Sequence, residues 1–283
     1  MSEELFPRTT VGGVSVSRMI IGSNWMLGYS HTSSAADSSI KRFHRDGERA
    51  YEMFCTFLEN GVDAFMSPLA QCGVLLDSIK RAEQATGRKM TLIDTPIINV
   101  DNSEKARQAA REEIRRGREL GATFSLIHHS STEELVCKNT RTIDRLPDYL
   151  AMIRDEGLIP GLSAHMPEIV IYSDLNEYDV ETYIQIYNCM GFLMQIEIES
   201  VNHIIHNAKK PVMTIKPMAA GRTTPFVGLN FAWATIRPCD MVTIGCMNAD
   251  EAAQDIEISR AFFERRPPEM AGRSSPKKTD IIV

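Results

Sequence analysis

Apolar positions along this chain alternate between two periods. Short apolar runs bounded by turn residues read as strands buried on both faces, and longer stretches with apolar residues three and four apart read as amphipathic helices. The clearest run is Thr123-Phe-Ser-Leu-Ile-His128-His129-Ser130, an apolar strand that leads into two histidines and a Ser-Ser-Thr turn. Residues 19–22, 64–66, 90–93, 160–165, 182–188, 212–216 and 241–245 read as seven further strands. Helices are predicted over 46–59, 74–86, 104–120, 146–156, 196–208, 226–236 and 248–264, several of them ended by glycine (Gly61, Gly121, Gly157). Ahead of the first strand, residues 8–17 carry Gly12-Gly13 between β-branched residues, the signature of a two-strand hairpin. Residues 26–45 are polar and aperiodic, which predicts a long loop, functional or mobile.

Eight short strands alternating with helices over roughly 250 residues predict an α/β fold, a (β/α)8 TIM barrel with an N-terminal β-hairpin cap. A doubly wound sheet is the competitor, and Gly22-Ser-Asn-Trp-Met-Leu-Gly28 lacks the glycine fingerprint such a sheet carries after its first strand. The expected organisation is one barrel domain over 1–265 and an irregular tail over 266–283, where prolines and paired lysines gather.

Composition fits an ordinary globular core: 43% of the 283 residues are hydrophobic and 24% charged. A net charge of −6 with no basic run argues against nucleic acid and against anionic lipid as partners. No apolar stretch is long enough for a membrane span, and Met1-Ser-Glu-Glu does not open a signal peptide. Six cysteines without C-x-x-C spacing read as free thiols, and hence as a cytoplasmic protein. The expected partner is a small-molecule substrate, with a homo-oligomer left open.

In this order, the motifs resemble those of the aldo-keto reductase superfamily. Residues 10–22 are similar to the family's cap and first strand, and Gly61-Val-Asp-Ala-Phe65 with Cys72-Gly73 to its second strand and helix. His128 falls on the fourth-strand histidine, Gly161-Leu-Ser163 on the fifth strand and Gln185 on the sixth. Lys216-Pro-Met-Ala-Ala-Gly221 and Val242-Thr-Ile-Gly-Cys-Met-Asn248 resemble the last two strand ends. The resemblance implies carbonyl reduction with NADPH by an Asp, Tyr, Lys and His. Of that set only His128 is present: the other positions read Met66, Gln71 or Cys72, and Thr95 or Pro96. On the cofactor side Ser163 and Gln185 match, but Ala164 and Ile215 replace an asparagine and a stacking aromatic. The loop 246–251 is acidic where a 2′-phosphate would need cations.

Polar residues at the predicted strand ends offer other chemistry. Asp94, His128 and His165 end three consecutive strands, and two imidazoles with a carboxylate form a set that binds a divalent metal with positions left open. Lys216 reads as an electrostatic clamp or a base of lowered pKa. Since neighbours on a strand face opposite ways, only one of His128 and His129 is expected in the mouth. Asn24, Trp25, Gln185, Tyr187, His129 and His31 are the expected substrate contacts, with His31 on a lid. His203 and His206, three apart on a helix, and His44 beside Arg42 and Arg45 read as solvated. Three functions compete: a barrel enzyme doing acid–base or metal-assisted elimination, isomerisation or hydrolysis on a carbonyl or sugar-like substrate; a divergent NADP-dependent oxidoreductase; and a non-catalytic ligand-binding barrel.

Overall fold

The computed structural model describes residues 5–270. β1 (Arg8–Val11) and β2 (Val14–Ser17) form an antiparallel hairpin, and Gly12 and Gly13 make its turn at φ of 53° and 83°. β3 (Met19–Gly22), β4 (Ala64–Ser67), β5 (Thr91–Asp94) and β6 (Ala122–Ile127) begin the barrel. β7 (Val136–Cys137) and β8 (Thr142–Ile143) pair as a small hairpin before the barrel resumes with β9 (Ile159–Ala164), β10 (Thr182–Ile186), β11 (Val212–Ile215) and β12 (Met241–Ile244). The eight barrel strands are all parallel and close in the order β10-β11-β12-β3-β4-β5-β6-β9. This is the predicted TIM barrel with its hairpin cap.

Strand alternation divides the core in two. Ile20, Ile93, Phe124, Leu126, Ile184 and Met213 point inward and fill the barrel, and Val11 and Val16 of the hairpin plug its N-terminal end. The opposite face of each strand packs on the helical shell. Below the barrel, Asp240 is fully buried, accepts from the Val212 and Arg237 backbone N–H groups and pairs with the Arg237 guanidinium. With that end closed, the barrel opens to a ligand at its C-terminal mouth.

The helices are α1 (Asn24–Leu27), α2 (Ser34–Phe43), α3 (Glu48–Glu59), α4 (Gly73–Thr86), α5 (Glu104–Glu119), α6 (His129–Thr132), α7 (Leu146–Asp155), α8 (Glu168–Leu175), α9 (Ile198–Asn207), α10 (Pro225–Thr235) and α11 (Ala249–Glu264). Four of them, α1, α2, α6 and α8, differ from the sequence pattern. The predicted loop after β3 contains α1 and α2. Ser33 caps α2 by accepting from the Ala36 N–H, Asp37 sits in its first turn and Lys41 and Arg42 in its last. Only Ile40 of α2 is buried, so no apolar stripe announces it. α8 contains the β-branched run Ile169-Val170-Ile171, which favours a strand locally and is overridden by packing, with Ile169, Val170 and Tyr172 buried. The cysteines are free. Residues 266–270 form neither helix nor strand, and the remainder of the expected irregular tail, 271–283, lies outside the described residues. No described helix is long and apolar enough to cross a membrane.

Candidate active site

The C-terminal mouth opens into a cavity of about 750 Å³. Its floor is the last inward layer of the barrel: Gly22, Met66, Ser163, Ile184, Ile215 and Thr243. Of the residues expected in the site, Asn24, Trp25, His31, His128, His129, His165 and Lys216 line the cavity.

Three expected residues do not. Asp94 follows the inward Ile93 on β5 and so faces the helical shell. Its Oδ1 accepts from the Leu69 N–H at 2.9 Å, and the carboxyl packs on Gly117 of α5. Gln185 follows the inward Ile184, is fully buried on the outer face, and its Oε1 has no partner among the described residues. Tyr187 is two residues further on the same outer face, where its hydroxyl accepts from Asn202 Nδ2 at 2.9 Å. Their places at strand ends point to the mouth; the two-residue alternation sends them out instead.

His129 corrects the expectation in the other direction. The strand ends at Ile127, and His129 begins the single turn α6, so alternation no longer separates it from His128. The rings of His129 and His165 stack at 3.6 Å with an interplanar angle of 19°. His129, His165 and Glu133 each offer a ligand atom within 4.8 Å of the others. Glu133 was absent from the sequence reading. The signal was available: His129 and Glu133 are four apart, which on a helical turn places them on one face. Glu133 Oε1 accepts from the His165 and Met166 N–H groups at 2.7 and 2.9 Å, and Oε2 lies 3.7 Å from His129 Nδ1. This clamp ties α6 to the end of β9.

The charges of the site follow from its burial. Burial, then its neighbour His129, pushes the His128 imidazole down to about 4. Burial, then Lys216, pushes His165 down to about 3 and lowers His31 as well. Burial opposes ionisation of Glu133, yet hydrogen bonds from His129 and from the backbone of His165 and Met166 hold its carboxyl below the ordinary range. His128 Nδ1 accepts from the Ser130 N–H at 3.3 Å and lies 2.8 Å from Ser130 Oγ. Nδ1 is therefore an acceptor, which places the ring proton on Nε2.

The Lys216 amine has no hydrogen bond or ion pair among the described residues, and burial alone pushes it down to about 8. The residue's backbone is left-handed at φ 63° and Pro217 follows. That conformation costs about 1–2 kcal/mol for a residue with a side chain, and a following proline disfavours it further. Strain of this kind gathers at sites of function.

Beyond β12 the cavity runs along α11, past Met247, Glu251, Gln254 and Asp255. Burial raises the Asp255 carboxyl to about 7, and the Cys246 thiol donates to it at 3.5 Å. His203 and His206 do not line the cavity; His206 Nε2 lies 2.8 Å from Thr235 O. His44 is buried rather than solvated, with Phe43 edge-on at 5.1 Å.

No family model matches this chain, and no curated protein matches it. Solved structures do. A Pseudomonas aeruginosa protein assigned to the aldo-keto reductases aligns over 90% of this chain and 96% of its own, with a TM-score of 0.64 at 15% identity. The chain has an aldo-keto-reductase-like fold. An aldo-keto reductase from Klebsiella pneumoniae, solved with NADPH, aligns over 95% of this chain and 98% of its own, with a TM-score of 0.55 at 11% identity. A Rubisco from Pyrococcus horikoshii OT3 aligns over 80% of this chain but only 55% of its own, with a TM-score of 0.53 at 11% identity. At such identities the likeness is one of fold.

Lys216 is the only lysine or arginine among the described lining residues, and the arm along α11 presents Glu251 and Asp255 to any phosphate placed there. Ile215 offers no aromatic face for stacking, and Gln185 points away from the cavity.

Proposed function

We propose that this protein is an enzyme that acts on a small polar carbonyl or sugar-like substrate by metal-assisted acid–base chemistry: elimination, isomerisation or hydrolysis. The observation that carries this reading is the convergence of His129, Glu133 and His165 on one point of the cavity. Two imidazoles and a carboxylate suit Zn²⁺, Mn²⁺ or Fe²⁺ and leave coordination positions for water or substrate. His165 is neutral across the working pH range, and Glu133 is ionised, which are the forms that bind metal. The backbone hydrogen bonds to Glu133 Oε1 orient the carboxylate, as partners of metal ligands do. Bound metal would polarise a substrate oxygen. His128 would donate from Nε2, and Lys216 would meet negative charge that develops on the substrate.

Metal analysis of protein purified without added metal, followed by titration with Zn²⁺, Mn²⁺ and Fe²⁺, tests the reading. About one ion per chain is expected, lost in a His129→Ala/His165→Ala double variant. Absence of uptake, or uptake that survives the double substitution, ends it.

A further inference from the structure

We propose that Lys216 is a covalent site, whose amine forms an imine with the carbonyl carbon of the substrate. This goes beyond the metal-assisted reading and rests on it only for the carbonyl class of substrate. The geometry is that of a nucleophile held ready. Lys216 follows β11 directly, at the C-terminal mouth of the barrel, and lines the cavity. No carboxylate pairs with it among the described residues; the titratable groups that feel it across the cavity are the imidazoles of His31, His128 and His165. A salt-bridged lysine would be held protonated, whereas this one has no ion pair to break before it loses its proton and attacks. The left-handed backbone at Lys216, ahead of Pro217, fixes where the side chain leaves the strand.

Burial supports the same role by pushing the amine down to about 8. At pH 7 roughly one such amine in ten is neutral, against about one in three thousand for a surface lysine. In the step, the Nζ lone pair attacks the carbonyl carbon and the C=O π pair moves to oxygen, which takes a proton. The resulting carbinolamine loses water, with the second N–H proton leaving nitrogen as the C=N bond forms. One carbonyl and one amine give one imine and one water, with no change of oxidation state. His31 lines the same cavity and is a group able to carry these protons.

The test uses dihydroxyacetone as carbonyl probe with sodium cyanoborohydride as added reductant, followed by intact mass and peptide mapping. At pH 7 Lys216 should be modified at least about tenfold faster than the other lysines of the same digest, and its rate should rise with a midpoint near pH 8. Lys216→Arg keeps the cation and should abolish the fast adduct. Adducts spread evenly over the lysines of the wild type, or an undiminished fast adduct in Lys216→Arg, overturn the proposal. The wild-type map alone decides the matter if the variant does not fold. The two readings also separate: trapping without metal uptake sinks only the metal, and metal uptake without trapping sinks only the imine.

Discussion

The carboxyl of Asp94 lies against the backbone of Gly117. A Cβ on Gly117 would overlap Asp94 Oδ2 and stand 3.2 Å from its Cγ. Gly117 is an interior position of α5, where alanine ordinarily stabilises by about 1 kcal/mol. Here the sign should reverse. Gly117→Ala is expected to cost about 1–3 kcal/mol in urea unfolding, because the buried carboxyl must turn away from the Leu69 N–H or the helix must shift. Adding Asp94→Ala should recover much of that loss, since the two changes share one contact. A Gly117→Ala protein more stable than wild type would show that the helix has room to move.

The same carboxyl makes stability depend on pH. Burial first, then the neighbouring Glu113 charge, raises Asp94 to about 7, against an ordinary value near 3.9 in the unfolded chain. A raised folded value means that the protonated group favours the fold below about pH 4, and that this advantage is lost as pH climbs through 7. Asp94→Asn cannot ionise and retains an acceptor for the Leu69 N–H. It should therefore match wild type near pH 4 and exceed it by about 1–3 kcal/mol at pH 8. Equal differences at pH 4 and pH 8 would contradict the assignment.

Asp94 also marks the limit of what the chain discloses on its own. The barrel was legible because eight buried strands need little more than apolar runs and turn residues, both of which are local. The mouth was legible where a residue sits on the inward phase of its strand, as His128 and Ser163 do. It was misread at Asp94, Gln185 and Tyr187, where the strand end was judged but not the phase. Counting two by two from Ile93 and Ile184 would have sent all three outward. Glu133, as the partner of the expected contact His129, was hidden for another reason: the chain leaves the strand and turns helical at His129, and a single turn has too few residues to show a period. α8 was obscured by an apolar sequence without a polar face.

Metal uptake should therefore follow the observed cluster and ignore the expected one. Glu133→Gln or His165→Ala is expected to weaken Zn²⁺ or Mn²⁺ binding by about 100-fold or more, while Asp94→Asn leaves it unchanged. Isothermal titration of the three variants gives the comparison. Loss of binding in Asp94→Asn alone would restore the carboxylate of β5 to the site.

The last expectation concerns the cost of keeping Lys216. Its folded value is lowered by burial to about 8, from about 10.4 in the unfolded chain. Below pH 8 both states are protonated, and the folded state must hold an ammonium that has lost water and found no partner. Between pH 8 and 10.4 the folded state binds fewer protons than the unfolded one, so wild-type stability should rise with pH through that window. Lys216→Met keeps the length of the side chain and removes the charge. It should exceed wild type by about 1–3 kcal/mol at pH 7, and that margin should disappear near pH 10.5. Thermal unfolding at the two pH values measures it. A gain of stability together with loss of catalytic turnover is what a site that spends stability on reactivity requires. If Lys216→Met is instead less stable than wild type at pH 7, the amine has a favourable partner in solution, and its place as a free group in the cavity is wrong.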